Sequence, residues 1–486
     1  MPSSAAEPGP ITRLPDEVLS IVFFYYAVCL HDSLKLALHT PILWSFFSLW
    51  TLDDSNLRDQ QLRLSLVSPQ VNTTFALLEP HKDRVQDLEI CAGVQMIGNI
   101  SPHLRDNWKN LRHLSLWSEK FQYNMPARVA QYLIPGLCSL RLINVRVDWT
   151  CVRHVRHLKV AGNYQWGSIT IKALSDVLRA CPTLQTLELY DCVYEVDTIH
   201  RPAELPHMRR FEIRASSDVC SSALGLMSLH PSAAILIDTD NRVNAMSIRP
   251  LLVRLCKHLN ARGRPPRLRS LKFISTYPGN CREINCWMRF LWDDCLPFTH
   301  KQGANAILET TQLELRVVLP SARELHRIVA KVLNIVPTHA VEVLDMRSST
   351  YTPTRALRAL LRGLPAIRSI YLASRAVNVS VLEFILHLIE NGSLQGSPCA
   401  PYKKPLEPPA LEQIFWDTRT IIMDGADKRM EMIRAISKLL EAYKRVGRPI
   451  RQVFLSKRPD GMPAAVVAEM ARMFGEGFVC PGPTYN

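Results

Sequence analysis

Six side chains suited to gripping another protein stand at matched offsets in this chain: Trp117, Arg141, Tyr190, Arg214, Arg347 and Tyr371. Each lies between the last two apolar residues of a short apolar-x-x-apolar-x-apolar tract, or directly after them. In an extended strand those two offsets point to one face, so the six would share a surface. Aromatic rings and guanidinium groups dominate protein–protein hot spots, and the chemistry they offer is recognition rather than bond-making. The other reading at each position is a side chain covered by a flanking loop. Phe415 and Asp417 occupy the same outward offsets.

Reactive constellations are harder to find. Cys281, Cys286, Cys295 and His300 fall in one segment, with four and eight residues between successive cysteines. Zinc sites use closer pairs, so buried thiols are the simpler reading and no metal is expected. His154 and His157 face opposite sides of a predicted strand. The adjacent pairs Asp53-Asp54 and Asp293-Asp294 diverge in the same way. Neither a phosphate-cradling glycine loop nor a nucleophile elbow is legible. The expectation is a non-enzyme without cofactors, with any hidden active site confined to inserted loops.

The elements that would position the six come from a repeat. Leu184, Leu187 and Leu189 set the pattern, followed by Cys192 and preceded by a helix-like run ending at Ala180-Cys181-Pro182. It returns in tracts beginning at Val85, Leu111, Leu137, Val155, Met208, Leu268, Val341, Ile367, Leu411 and Ile450, and more weakly at Ser232 and Thr310. The first intervals are 26, 26, 18, 29 and 24 residues. They bracket the period of about 20–29 residues of leucine-rich repeats. Helices are predicted over Ile171–Ala180, Arg355–Arg362 and Met432–Tyr443, where apolar residues recur on one face. A strand and a returning helix per unit predict an α/β fold, a curved solenoid with parallel strands on its concave face and helices on its convex face. Asn163 and Cys192 hold the position where such repeats satisfy backbone groups after the strand.

Four stretches follow from this: a flexible leader (1–10), a small helical head (11–50), the repeat region (60–474), and a flexible tail (475–486). Within the repeats, inserted loops are predicted at about 279–305 and 392–409, the latter rich in Gly, Ser and Pro. The formal charge of +14 is uneven. Residues 1–80 carry four basic residues against eight acidic ones, leaving 54 against 36 for the rest. An acidic head on a basic body suggests two surfaces with different partners. The arginines are scattered, with Arg262-Gly263-Arg264 the one tight group, so an acidic protein fits better than a nucleic acid. The apolar run 18–30 follows Asp16 and Glu17 rather than a basic flank and is too short to span a bilayer. The chain therefore reads as cytoplasmic or nuclear, with reduced thiols.

The head resembles the F-box. Its Leu14, Pro15, Glu17, Val18, Leu19, Val22 and Phe23, and then Thr40-Pro41-Ile42-Leu43-Trp44, match the features that open and close that motif. The order of head and degenerate repeats is similar to basidiomycete-type F-box proteins of fungi. The resemblance implies a substrate receptor of an SCF-type ubiquitin ligase, acting in ubiquitin-dependent degradation. Leu14, Pro15, Glu17, Leu19, Val22, Phe23 and Trp44 would serve a Skp-type adaptor that joins a cullin scaffold, and the repeats would take an unknown protein substrate. Arginines and lysines on the repeat face would suit a phosphorylated segment. The head departs from the family where Val28-Cys29 follows directly on the first helix and Asp32 or Ser33 replaces the usual tryptophan. A repeat scaffold whose degenerate head recruits no ligase is the alternative.

Overall fold

The computed structural model describes residues 62–67, 82–83, 85–92, 104, 108–118, 127–129, 136–162, 169–194, 201–230, 232–260, 268–277, 283–291, 311–373, 375–392, 406–417, 426–455 and 464–480. The predicted leader and head, with Leu14, Pro15, Glu17, Leu19, Val22, Phe23 and Trp44, lie outside these residues.

Sixteen strands join in one sheet. In chain order they are β1 (Leu62–Val67), β2 (Val85–Ala92), β3 (His113–Ser118), β4 (Ser139–Ile143), β5 (His157–Ala161), β6 (Thr186–Tyr190), β7 (Arg210–Ala215) and β8 (Ala234–Arg242). The rest are β9 (Ser270–Thr276), β10 (Ile284–Leu291), β11 (Thr311–Leu319), β12 (Val343–Asp345), β13 (Ser369–Ala373), β14 (Gln413–Asp417), β15 (Gln452–Leu455) and β16 (Phe478–Val479). Strands β1 to β8 and β12 to β16 lie side by side in chain order. Between them the order runs β8-β11-β10-β9-β12, so β10 is antiparallel to both its neighbours while every other pair is parallel.

Parallel neighbours need a crossover, and helices supply many of them. They are α1 (Ile171–Ala180), α2 (Ser217–Gly225), α3 (Arg249–Asn260), α4 (Ala322–Leu333), α5 (Thr354–Gly363), α6 (Ala376–Gly392), α7 (Ala426–Arg445) and α8 (Ala464–Phe474). Helix α1 shows the local logic. The Thr170 hydroxyl accepts from the Ala173 amide at 3.0 Å, and the run stops at Cys181-Pro182, since proline cannot continue it. Its Ile171, Leu174, Val177 and Leu178 join Leu187 and Leu189 of β6 in one continuous apolar cluster. Helix α4 does the same through Leu325, Ile328, Val329 and Val332, a helical stripe. Burying one such side chain contributes about 1.5–3 kcal/mol.

All thirteen predicted tracts lead into strands of this sheet. In most units the first apolar residue and the two that follow it are buried, as at Leu184, Leu187 and Leu189, while Ile450 before β15 is partly buried. Two loop assignments need correction. Residues 284–291, inside the segment predicted as a loop, form β10, where Ile284, Cys286, Met288 and Phe290 are buried on alternate positions. In the predicted flexible tail, Gly475–Gly477 form a 3-10 turn and β16 pairs in parallel with β15.

Cys192 is buried and its thiol donates to the Val160 carbonyl on the neighbouring strand at 3.3 Å, the role predicted for it. Asn144 plays a like part unforeseen. It sits at φ 55° after β4, a conformation Asn tolerates, and its amide reaches the Ser118 carbonyl at 3.3 Å. Asn163 lies outside the described residues.

Candidate functional site

One face of the sheet takes the strand leucines and packs against helices; the other carries the outward offsets in two rows. In-register pairing lines up Glu89, Ser115, Arg141, Lys159, Glu188, Glu212, Leu236, Glu314, Arg289, Lys272, Asp345, Tyr371, Phe415, Phe454 and Val479, one per strand from β2 to β16. A second row runs Trp117, Ile143, Ala161, Tyr190, Arg214, Asp238, Arg316, Trp287 and Ile274. Adjacent members are about one strand spacing apart, some 4.8 Å.

The middle of this surface is ionic. Lys159 meets Glu188 at 2.6 Å and lies over the Tyr190 ring at 4.9 Å from its centroid. The Tyr190 hydroxyl donates to Glu188 at 3.2 Å. Burial, and then the carboxylates of Glu212 and Glu188, raise the Tyr190 phenol well above its ordinary range, so it stays a neutral donor. Glu314, 2% exposed at its side chain, is held by Arg289 at 2.6 Å and by Arg316. Burial opposes its ionisation, but the hydrogen bond and charge of Arg289, with those of Arg316, outweigh it and hold the carboxyl below its usual value. Asp238 goes the other way: burial raises it, and Arg316 at 3.9 Å and Arg214 only partly offset that. Arg316 also lies 5.0 Å from the Trp287 ring centroid. Tyr190, Glu212, Arg214, Asp238, Glu314 and Arg316 line a shallow cleft.

Over β12–β14 the same face is buried at Asp345, Tyr371 and Phe415. Tyr371 and Phe415 lie 4.3 Å apart between ring centroids, and Phe415 stacks on Phe454 at 4.5 Å. Val343, Tyr371 and Phe415 form a second apolar cluster, with Phe454 packed against it. Arg347 is bound two-fold by Asp345 at 2.9 and 2.7 Å, approaches Asp417 at 3.6 Å and lies over Tyr371.

The six predicted contact residues therefore divide. Trp117 (42% exposed), Arg141 and Arg214 are open, and Tyr190 is half-buried among them on β3–β7. Tyr371, expected on the open surface, is 3% exposed because neighbouring rings cover it. Phe415 and Asp417 are buried as well. Arg347 is engaged by two carboxylates. The structure adds Trp287 and Arg289 on β10, inside the predicted loop, and Glu314 and Arg316 on β11, whose tract is only weakly marked in the sequence. The alternation of Ile284, Cys286, Met288 and Phe290 was the signal that could have found two of them.

These carboxylates face guanidinium or ammonium groups, so the surface offers fixed charges and rings, suited to recognition. Among the described residues no three His, Cys, Asp or Glu gather as metal ligands. Cys286 is buried in β10, where burial raises its thiol, and Cys281, Cys295 and His300 lie outside the described residues. Among the described residues no helix is long and apolar enough to cross a membrane. Comparison of the chain with family models and with curated proteins gives no match to either.

Proposed function

We propose that this chain is a substrate receptor of an SCF-type ubiquitin ligase: a leucine-rich-repeat solenoid whose open strand face captures a protein target, with an F-box head that docks a Skp-type adaptor. The observation that carries the capture role is the in-register surface over β3–β11, where Trp117, Tyr190, Arg214, Trp287 and Arg316 stand in one row. Rigid rings and forked cations on a fixed sheet lose little conformational entropy on binding. The head's part rests on its residues: an amphipathic helix carrying Leu14, Leu19, Val22 and Phe23 hides its apolar stripe in a partner groove.

Co-precipitation from cells tests the reading. The wild-type chain should bring down the Skp-type adaptor and cullin, and Leu19→Asp or Phe23→Asp should abolish both by burying an unpaired charge. Adaptor retained at wild-type levels in both variants would reject the head as drawn. A second reading, a repeat scaffold that recruits no ligase, is favoured by one observation: Val28-Cys29 follows directly on the first helix, with Asp32 or Ser33 in place of the family's tryptophan. On that reading the wild-type precipitate holds no adaptor, yet a target partner is lost on Trp117→Ala and Arg214→Ala.

A further inference from the structure

The residue after the first apolar position of each tract sits at the leading end of its strand, and backbone bonds tie these residues into a file. The Arg112 amide donates to Gln86, Cys138 to Arg112, Arg156 to Cys138, Gln185 to Arg156 and Arg209 to Gln185, all at 2.7–2.8 Å. Far apart in sequence, Arg112, Arg156 and Arg209 thus stand on every second strand, about 10 Å apart. All three are exposed, with His113 and His157 beside them.

The same file continues beyond β9 with a different composition. There Glu342 donates to Arg269, Arg368 to Glu342, Glu412 to Arg368 and Arg451 to Glu412, each at 2.8 Å. Glutamates alternate with the arginines, and Glu412 lies 3.1 Å from Arg368 and 3.7 Å from Arg451. In the first half the intervening residues are Cys138 and Gln185, which supply no charge. Arg112 donates to the Gly136 carbonyl at 3.2 Å, and among the described residues no carboxylate pairs with Arg156 or Arg209. Asp87 lies 3.7 Å from His113, while Arg210 is taken up by Glu212. The local field is positive: burial first, then the charges of His113, Arg156 and Arg209, hold the His157 imidazole below its ordinary value.

We infer that the leading edge of β3–β7 binds a carboxylate-rich segment of the captured target in polyproline II conformation, with acidic residues three apart meeting Arg112, Arg156 and Arg209 in turn. Polyproline II has three residues per turn and rises about 3.1 Å per residue, so every third side chain falls on one face about 9 Å apart, close to the spacing of the arginines. Uncompensated cations on a rigid edge both steer an acidic partner and fix its register. A nucleic acid would require stacking rings beside the cations, and the exposed Trp117 and Trp287 stand at the other end of the row set, beyond the Glu188 and Glu314 level. This inference rests on the proposed role in target capture and names the substrate class.

The test is fluorescence anisotropy with the full chain and three labelled probes: a peptide with glutamate at every third position, the same peptide with lysine there, and oligothymidylate. The glutamate peptide should bind in a salt-sensitive way, and the lysine peptide should not. The double variants Arg156→Glu/Arg209→Glu and Arg156→Gln/Arg209→Gln should each weaken binding about tenfold or more, whereas Arg451→Ala should leave it unchanged. The glutamine pair removes charge without adding repulsion, so it answers for the reversal pair should that fail to fold. Wild-type affinity in the glutamine pair, equal loss in Arg451→Ala, no binding of the glutamate peptide, or tighter binding of oligothymidylate each overturns the inference. Adaptor co-precipitation on the same protein separates the two claims: peptide bound without adaptor defeats the ligase reading alone, and adaptor bound without peptide defeats this inference alone.

Discussion

Glu314 is the most consequential single side chain on the open face. It is almost fully buried and meets two guanidinium groups, so removing its charge strands both. Glu314→Gln should cost about 3 kcal/mol at neutral pH, read as a shift in the urea midpoint. The sign with pH follows from its lowered pKa. The ionised form stabilises the fold at pH values above the unfolded carboxyl's 4.5, and that contribution is lost as pH falls through the lower folded value. The gap between wild type and Glu314→Gln should therefore narrow below pH 4.5, and a gap that stayed constant would show that the ion pairs add nothing. The outward position of Glu314 between Leu313 and Leu315 is legible from the sequence; its partner Arg289 is not, because the tract around it lacks the leading apolar residue that marks the other strands.

Element by element, legibility followed the tract. Where an apolar residue precedes the strand by three positions, a buried loop anchors it and the strand is readable. Strands β1, β10 and β16 lack that signature and were missed. Tyr371 failed differently: its offset predicted the right face, but no local pattern says that Phe415 and Phe454 arrive beside it from residues far along the chain. Strand β16 depends on Gly477, where an added Cβ would collide with the Arg451 carbonyl oxygen. Gly477→Val should push β16 off β15, costing about 1–3 kcal/mol, with hydrogen exchange of the Phe478 and Val479 amides rising towards that of free chain. Unaltered protection there would mean that the pairing tolerates the side chain.

Among the described residues, each strand of the sheet pairs only with its immediate neighbours, so damage should spread a short distance. Leu189 is fully buried in β6, and Leu189→Ala should cost about 2–5 kcal/mol. The loss of amide protection should concentrate in β5–β7, with β13–β15 keeping theirs, because stability in a stacked array is a sum of local units and their interfaces. Equal loss across all sixteen strands would mean that the sheet folds as one cooperative body. The charge layout follows the same division. Among the described residues no carboxylate pairs with the leading-end arginines of β3–β7, whereas Arg368 and Arg451 meet Glu412, and the open face is ionic over β5–β11 but buried and aromatic over β13–β14.

The reversed strand β10 sets a rule for how this chain could be shortened. Strands β8, β11, β9 and β12 all point one way, so excising β9, β10 and β11 together would leave two flanking strands of matching polarity, ready to join. Taking out any one of the three alone would force a connection to run the wrong way or leave a gap. Excising β10 with only β9 or only β11 would also leave parallel neighbours, so the array can shorten here by a pair or a triplet that includes the reversed strand.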